Sequence, residues 1–301
     1  MKNFKPGDKT WVRVSVATVW RDATSPRAID QDAISTPANP EKWVAAMSNE
    51  DKLNLLGRVD SQALYGTKAT IISVQDQWAE VQVHGQPGHD GSPTYPGWLP
   101  CAQLSFLDND HAFNLVVIAS KTSIYDDPEC QSPTLEVSYN TQLPVAAEQD
   151  QAFQVYTPDG LKWVEKSAVS FIDAEVPSGE TIIKEARRFI GLDYLWGGMS
   201  AYGFDCSGFV HTIYKRYGVT IPRDAGDQFK SGTAISKEGL KPGDLVFFAH
   251  EKGKGDLHHV GFYAGDGMLL HSPQTGSPIE CLDLWSHPVL ADEFIGGRRY
   301  L

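Results

Sequence analysis

Cys206, which follows Asp205 at the predicted start of a helix, is the residue of this chain with the clearest chemical potential. The first amides and the dipole of a helix favour an anion, so we expect the pKa of the Cys206 thiol to be lowered. The same amides can hold the oxyanion of a tetrahedral intermediate. Asp205 is the predicted cap of this helix. Cys206 is therefore a candidate nucleophile for an acyl-transfer reaction.

A nucleophilic cysteine needs a base, and the base needs a partner that orients it. Three histidines downstream are candidates, namely His258, His259 and His271. If Gly265-Asp266-Gly267 forms a three-residue hairpin loop, His271 lies diagonally from His259 on one face of the two strands. A two-residue loop reverses the parity and makes His258 the neighbour instead. The residues alone leave both arrangements open, although they favour His259.

Two other interpretations of these side chains compete with catalysis. A single cysteine at a helix start can be inert. Cys206, His259 and His271 could also bind zinc, although the sequence has no short-spaced ligand pair apart from the adjacent histidines. We predict no metal and no other cofactor. The remaining cysteines form no CxxC pair and are interpreted as small buried hydrophobic residues: Cys101, Cys130 and Cys281.

The elements that must position the candidate residues run from helices to strands. Ser178 caps a helix whose apolar residues follow helical spacing and which Gly191 ends. A second helix begins at Cys206 and ends before Gly218. Strand-like segments then follow, namely Leu245 to Ala249, His258 to Ala264, and Met268 to Ser272. Two helices followed by antiparallel strands predict an α+β domain.

The region before this domain is predicted to consist of short strands with a helical insertion. Residues 11–20 alternate in polarity and predict a strand. Asn39-Pro40 opens a short helix, with Asn39 as cap, and Ser48 caps a second one. From about residue 68 the chain again reads as short strands.

A weak internal repeat predicts two small β-barrels of similar design in this region. Each copy is a hairpin and a Trp-led turn into another strand, with Asp76–Val81 before Trp98–Leu104 and Asp150–Val155 before Trp163–Val169. The pattern resembles bacterial SH3-like domains. We predict three domains: residues 1–107 as a first SH3-like domain with the helical insertion, 108–175 as a second, and 176–301 as the α+β domain.

Charge and hydropathy narrow the classes of partner. The 301 residues include 26 Lys and Arg against 38 Asp and Glu, a formal net charge of −12. Bulk charge of this sign does not favour nucleic acid or anionic polymers. No segment approaches the roughly 20 apolar residues of a membrane-spanning helix, and the N-terminus does not read as a signal peptide. We expect a monomer in the cytoplasm that binds neither nucleic acid nor membrane.

Several motifs, in their order and spacing, closely resemble the NlpC family of cell-wall peptidases. That family is papain-like and uses a cysteine, a histidine and a third polar residue, often histidine. The resemblance implies that Cys206 is the nucleophile, His259 the base and His271 the orienting residue. It rests on Tyr194-Leu195-Trp196-Gly197-Gly198, Asp205-Cys206-Ser207-Gly208-Phe209-Val210, Pro222-Arg223, Lys241-Pro242-Gly243-Asp244, His259-Val260-Gly261-Phe262-Tyr263 and His271.

The upstream barrels narrow the resemblance to the γ-D-glutamyl-L-diamino-acid endopeptidases of murein recycling. The segments that carry it are Val14-Ser15-Val16-Ala17, Asp60-Ser61-Gln62-Ala63-Leu64-Tyr65-Gly66 and Tyr95-Pro96-Gly97-Trp98. In such enzymes an acidic residue and a tyrosine of the first barrel meet the free amine of the terminal L-alanine. The matching positions here are Asp60 and Tyr95, together with Asp205 and Ser207.

Two further aromatic residues, Tyr194 and Trp196, are candidate substrate-binding residues. The chain also departs from the pattern at two positions. Asp60 stands where glutamate is expected, and Ala225 stands where a hydroxyl residue is expected.

The predicted function is a cysteine endopeptidase acting on a murein-derived peptide with a free N-terminal L-Ala. It would hydrolyse the bond between γ-D-glutamate and an L-diamino acid, either lysine or diaminopimelate, and release L-Ala-D-Glu. Two alternatives are kept. One is a secreted hydrolase of the same fold that acts on intact peptidoglycan, and the other is a non-catalytic SH3-like wall-binding protein.

Overall fold

The computed structural model describes residues 3–106, 111–172 and 176–301. The chain forms two compact units. One comprises Met1–Gly85, Thr94–Ile172 and Met199–Tyr202, and the other comprises Gln86–Pro93, Asp173–Gly198 and Gly203–Leu301. The predicted domain boundaries at 107/108 and 175/176 fall at residues 107–110 and 173–175, outside the described residues, so they stay predictions.

The first part of the first unit is a seven-stranded antiparallel sheet with three short helices inserted after its second strand. The strands are β1 (Lys9–Val12), β2 (Val16–Trp20), β3 (Val59–Leu64), β4 (Lys68–Gln75), β5 (Trp78–His84), β6 (Thr94–Pro100) and β7 (Leu104–Phe106). The order across the sheet is β3-β2-β6-β5-β4-β1-β7. Its core is apolar, with alternate residues of each strand pointing inward.

The single strand predicted over residues 11–20 is wrong, because the chain is interrupted between Val12 and Val16. β1 pairs with β4 and β7, whereas β2 pairs with β3 and β6. The chain therefore changes partners within this segment, which alternation of polarity does not reveal.

The predicted helical insertion is present as α1 (Gln31–Ile34), α2 (Pro40–Ala46) and α3 (Asn49–Leu53). Both predicted caps are confirmed. The side chain of Asn39 accepts a hydrogen bond from the amide of Lys42 at 2.9 Å, and that of Ser48 accepts one from the amide of Asp51 at 3.1 Å. Caps of this kind stabilise short helices by about 1 kcal/mol each.

The second part of the first unit is built from two small antiparallel sheets. The strands are β8 (Leu115–Val117), β9 (Lys121–Tyr125), β10 (Pro133–Ser138), β11 (Gln142–Leu143), β12 (Val145–Glu148), β13 (Ala152–Thr157), β14 (Gly160–Glu165) and β15 (Val169–Phe171). The orders are β10-β9-β14-β13-β12 and β11-β8-β15. One apolar cluster lies among these strands.

The second unit contains helices and a six-stranded antiparallel sheet. Its helices are α4 (Gly179–Ala186), α5 (Cys206–Arg216), α6 (Ala225–Lys230), an irregular turn α7 (His250–Gly253) and α8 (Leu290–Glu293). The sheet has the order β18-β23-β19-β20-β21-β22. Its strands are β18 (Thr233–Ile235), β19 (Leu245–Ala249), β20 (Leu257–Tyr263), β21 (Met268–His271), β22 (Glu280–Asp283) and β23 (Phe294–Arg299). The two short strands β16 (Met199–Ser200) and β17 (Gly203–Phe204) precede helix α5 in the chain. Of the helices in the described part of the chain, none has the length and apolarity needed to cross a membrane.

Helix α5 packs its apolar side against strand β20, and this contact positions the site. The rings of Phe209 on the helix and Phe262 on the strand lie 5.6 Å apart, edge to face. Phe209, Ile213 and Tyr214 are fully buried, and each such side chain contributes about 1.5–3 kcal/mol on burial. The first residue of α5 is thereby held near the strand that carries the candidate histidines.

Candidate active site

Cys206 is the first residue of helix α5, as the sequence predicts. Asp205 has extended backbone geometry and caps the helix, since its carboxylate accepts a hydrogen bond from the amide of Gly208 at 2.6 Å. Among the described residues, no oxygen or nitrogen acceptor is found for the backbone N–H groups of Cys206 and Ser207. The Ser207 N–H points to the Cys206 sulfur, so the N–H of Cys206 is the donor available for an oxyanion.

A buried ion pair fixes the cap. Arg223, 1% exposed, donates to both carboxylate oxygens of Asp205, at 2.6 and 3.2 Å. It also donates to the hydroxyl of Ser207 at 2.9 Å. The Asp205 carboxylate further accepts from the amides of Gly197 and Gly208 and from Ser207. Five hydrogen bonds thus occupy its acceptor sites and immobilise the turn that precedes Cys206.

The pKa of the Cys206 thiol is raised in the structure, whereas the sequence predicts that it is lowered. Burial raises the pKa of the thiol to about 12, and the neighbouring Asp205 carboxylate adds to the rise. Arg223 and the N–H groups of Ser207 and Val260 act in the opposite direction on this pKa, but they do not outweigh burial. The predicted lowering of the thiol pKa is therefore wrong for the free protein. The residue is a neutral thiol at neutral pH and must lose its proton to a base during attack.

His259 and His271 form the pair that such chemistry needs. Nε2 of His259 lies 2.7 Å from Nδ1 of His271, and both rings are buried. The amide of Val260, which follows His259 on β20, lies against the Cys206 sulfur, so this strand passes beside the thiol. Burial, and then the charges of His271 and His258, keep the pKa of His259 well below its usual value. His259 is thus a neutral base at neutral pH.

The hairpin register decides between His258 and His259. Phe262 pairs with Leu270 and Tyr263 with Leu269, so Gly261 stands opposite His271. The three-residue loop is confirmed, and His271 lies diagonally from His259. A Cβ on Gly261 would approach the Cβ of His271 to 2.8 Å, which explains why glycine is needed there. His258 points to the other face, where its Nε2 lies 2.9 Å from Glu293.

The protonation state of His271 follows from its burial and from the contacts of its two ring nitrogens. Burial lowers the pKa of His271 to about 4, so its ring is neutral. Its Nε2 is buried and has no hydrogen-bond partner within the described ranges, and the nearest carboxylate oxygen, on Glu280, lies at 3.6 Å. If His271 accepts at Nδ1, then His259 carries its proton on Nε2 and leaves Nδ1 free to act as a base.

Comparison with known proteins identifies this arrangement. Residues 191–299 match the NlpC/P60 family, residues 117–171 match the YKFC SH3b2 domain, and residues 56–104 match the bacterial dipeptidyl-peptidase Sh3 domain. A γ-D-glutamyl-L-lysine dipeptidyl-peptidase of Bacillus cereus is 40% identical, over 99% of this chain and 92% of the relative. The chain belongs to the NlpC/P60 family.

Two further relatives agree with this assignment. A protein of Bacillus subtilis, also named γ-D-glutamyl-L-lysine dipeptidyl-peptidase, is 39% identical over 95% of this chain and 96% of its own length. The crystal structure of an NlpC/P60 family protein from Bacillus cereus superimposes with a TM-score of 0.92 at 39% identity, covering 97% of this chain and 99% of that one. The fold is therefore an α+β, papain-like peptidase domain preceded by two SH3-like barrels, as predicted.

As a member of the NlpC/P60 family the protein is a cysteine peptidase, so the non-catalytic alternative is dropped. The metal alternative for Cys206, His259 and His271 also finds no support. Within the described part of the chain, the groups of donor atoms that converge within 4.8 Å do not include this set.

The predicted substrate-binding residues of this NlpC/P60 domain lie in different surroundings. Tyr194 is buried near Cys206 and Asp205, and burial followed by these two groups raises its pKa well above the usual value. Its hydroxyl is therefore protonated and able to donate. Trp196 is partly exposed. Asp205 and Ser207 belong to the buried Arg223 network described above.

Asp60 and Tyr95 lie in the first unit. Arg21, whose side chain is 58% exposed, donates to Asp60 at 2.6 and 3.1 Å. Tyr95 is buried in the apolar core of the first barrel. Their participation in substrate binding stays a prediction.

Sequence reasoning missed Arg223 as a site residue. It belongs to the Pro222-Arg223 motif, and its guanidinium binds both Asp205 and Ser207, which flank Cys206. The signal was present, because a buried carboxylate at a helix cap needs a cation and arginine suits bidentate pairing. The sequence alone does not show that the fold brings Arg223 next to Asp205.

Proposed function

We propose that this protein hydrolyses the bond between γ-D-glutamate and L-lysine in murein-derived peptides that carry a free N-terminal L-Ala. The observation that carries the proposal is the buried 2.7 Å contact between His259 and His271 on the strand that passes beside the Cys206 thiol. The names of the two nearly full-length relatives support the substrate class.

In this proposal Cys206 is the nucleophile and His259 the base. Nδ1 of His259 accepts the thiol proton while the sulfur bonds to the γ-carbonyl carbon. The backbone N–H of Cys206 and the hydroxyl of Tyr194 stabilise the oxyanion. The tetrahedral intermediate then collapses and expels the lysine amine, which takes its proton from His259. Water, deprotonated by His259, hydrolyses the thioester and releases L-Ala-D-Glu.

His271 is the orienting residue of this mechanism. By accepting from Nε2 of His259 it selects the tautomer whose Nδ1 is unprotonated. Its replacement by glutamine leaves a side chain that can still accept a hydrogen bond, whereas alanine does not. We therefore expect His271→Gln to retain more kcat than His271→Ala.

We also propose that Asp60 and Tyr95 recognise the free amine. Five hydrogen bonds occupy the carboxylate of Asp205 and Arg223 balances its charge, so Asp205 contributes by fixing the turn before Cys206. Asp60 is bound by an exposed arginine, which a substrate ammonium could displace. A site that pairs a carboxylate with the ammonium of the substrate discriminates against an acylated end, which leaves that carboxylate unpaired.

The test uses three substrates, with products followed by mass spectrometry. These are L-Ala-γ-D-Glu-L-Lys, its N-acetylated form, and purified sacculi. We expect cleavage of the free tripeptide, at least about 10²-fold slower cleavage of the acetylated one, and no release from sacculi. Equal cleavage of both peptides contradicts amine recognition, and no cleavage of either contradicts the substrate class.

Two cysteine variants distinguish the loss of the nucleophile from the general effect of removing a thiol. Cys206→Ala should abolish hydrolysis, whereas Cys281→Ala, which removes a partly exposed thiol from strand β22, should keep it. Activity on sacculi would favour the alternative of a wall hydrolase.

We also propose that the enzyme acts in the cytoplasm as a monomer, because a requirement for a free amino end suits released peptides rather than intact wall.

A further inference from the structure

A second cluster of histidines lies at the end of the catalytic sheet, next to the proposed base but on the opposite face of its strand. It consists of His250, His258 and Glu293, and one donor atom from each lies within 4.8 Å of the others. Nε2 of His258 lies 2.9 Å from the Glu293 carboxylate. The His250 and His258 rings stack with centroids 3.9 Å apart and planes 12° from parallel. None of these three side chains takes part in the proposed mechanism.

The sheet topology explains why the three residues meet. Three strands are neighbours in the order β23-β19-β20, and β19 is antiparallel to both others. His250 directly follows β19, Glu293 directly precedes β23, and His258 is the second residue of β20. The three donors therefore stand at one end of the sheet, each fixed to a different strand. A site held by rigid strand ends loses little entropy when it binds an ion.

We propose that His250, His258 and Glu293 bind a divalent transition-metal ion of the zinc class. Two imidazoles and one carboxylate are a donor set that suits zinc, and three protein ligands leave a fourth position open. The donor atoms lie within 4.8 Å of one another, and the two stacked imidazoles would turn about their side-chain torsions to reach zinc-ligand distances of about 2.0–2.2 Å.

The contacts of His250 add a second line of support. Across the residues that the structure describes, no hydrogen-bond partner of its ring nitrogens is found, and the ring faces His258 instead. The turn that follows contains two residues in the left-handed region, Glu251 at φ 55° and Lys252 at φ 57°. Lys252 pairs with Asp292 at 3.3 Å, so its ammonium does not neutralise Glu293. Within the described residues, the partner of the Glu293 carboxylate is therefore His258, another member of the cluster.

Another group of this kind provides a matched comparison. His89, Asp224 and Asp227 also converge within 4.8 Å. There the two nitrogens of a single imidazole already face the two carboxylates, at 2.8 Å from Asp227 and 3.5 Å from Asp224. That group offers one nitrogen ligand, whereas the cluster of His250, His258 and Glu293 offers two. We therefore assign the metal to the cluster of His250, His258 and Glu293.

The test measures Zn²⁺ binding by isothermal titration calorimetry to the full chain carrying Cys206→Ala. This background removes the thiol, which could otherwise hold zinc together with the catalytic histidines. We expect one ion per chain. Adding His250→Gln or Glu293→Gln should weaken binding at least about tenfold, because each removes a ligand. With Co²⁺ as the probe, the visible absorption bands of the bound ion should be lost in the same variants.

Two control variants in the same background locate the ion. His89→Gln removes the competing cluster, and His271→Gln disrupts the catalytic pair, so both should leave Zn²⁺ affinity unchanged. The proposal is overturned by the absence of binding, by affinity that survives both His250→Gln and Glu293→Gln, or by affinity that is lost in a control variant. His250 is exposed, so His250→Gln should fold normally, which circular dichroism checks.

Discussion

At the scale of single residues, Tyr194 offers a selective test of the oxyanion site. Its phenol is buried near Cys206 and is held protonated by its raised pKa. Tyr194→Phe removes one hydroxyl and keeps the packing of the ring. If that hydroxyl donates to the oxyanion, kcat should fall by about 10²–10³ with little change in KM.

The control for this prediction is Tyr263→Phe. The hydroxyl of Tyr263 accepts a hydrogen bond from the amide of Gly267, at the hairpin loop. Its loss should leave kcat within about twofold of the unmodified enzyme, because it touches no reacting atom. A kcat for Tyr194→Phe equal to that of Tyr263→Phe would show that the Tyr194 phenol only packs. Steady-state assays of both variants on the free tripeptide decide this.

The protonation of His259 sets the acid side of the pH profile. Its pKa is held well below the ordinary value, chiefly by burial, and that of its partner His271 is lowered to about 4. A base is active only when unprotonated, so activity should persist as pH falls through the ordinary histidine value of about 6.5. We expect the acid limb of kcat/KM to have an apparent pKa below that value. An acid limb at or above it would contradict the assignment of a buried, neutral His259.

At the scale of elements, Gln62 links strand β3 to the segment Met199–Ser200 within the first unit. Its buried side-chain oxygen accepts from the amide of Met199 at 2.9 Å and from the hydroxyl of Ser200 at 3.0 Å. Gln62→Leu keeps the approximate volume but leaves both donors unsatisfied. This should lower the free energy of unfolding by about 1–3 kcal/mol, measured by urea denaturation.

Gln75→Leu is the matched control for Gln62→Leu. Gln75 is exposed at the end of strand β4, so its replacement should change the free energy of unfolding by less than about 0.5 kcal/mol. Similar effects of the two substitutions would show that the bonds of Gln62 to Met199 and Ser200 contribute no stability.

Some features of these elements follow from neighbouring residues in the sequence, whereas others depend on contacts that only the assembled fold provides. Local signals were sufficient for the helix at Cys206 and its Asp205 cap, because capping depends on neighbouring residues. The residues alone leave the length of the loop at 265–267 open, and the strand register decides it. The break at residues 13–15 depends on which strands lie alongside, and the role of Arg223 depends on a contact 18 residues away. The thiol pKa was wrong for the same reason, since burial is a property of the assembled fold.

At the scale of the whole molecule, three buried histidines make stability depend on pH. Burial lowers the pKa of His211 to about 3 and that of His271 to about 4, and it holds that of His259 well below its usual value. In the unfolded chain these rings have the ordinary pKa of about 6.5, so there they bind protons first as pH falls. These histidines therefore cost no stability above pH 6.5. As pH falls from there towards their pKa values in the folded state, the free energy of unfolding decreases.

Other charges act on stability in a different pH range or in the opposite direction. Burial acts to raise the pKa of Asp30, but its bonds with Arg27 and Trp43 together lower that pKa below its ordinary value. Asp30 therefore loses its contribution only below the ordinary carboxyl value of about 4. The net charge of −12 falls towards zero near the isoelectric point of about 5.1, which relieves self-repulsion and stabilises the fold. Salt at about 0.15 M screens that repulsion, so the histidine effect can be measured separately.

We therefore predict that the midpoint of urea unfolding at this salt concentration falls steadily between about pH 6.5 and pH 4.5, before the carboxylates titrate. His211 alone accounts for about 2 kcal/mol between pH 6.5 and 4.5, because each unit of pKa is worth 1.36 kcal/mol. His211→Gln removes this titration, so the variant should lose less stability over the same range. Exposed His84 is the control, and His84→Gln should follow the unmodified protein. A midpoint that stays constant or rises over this range would show that the buried histidines are not neutral in the folded state.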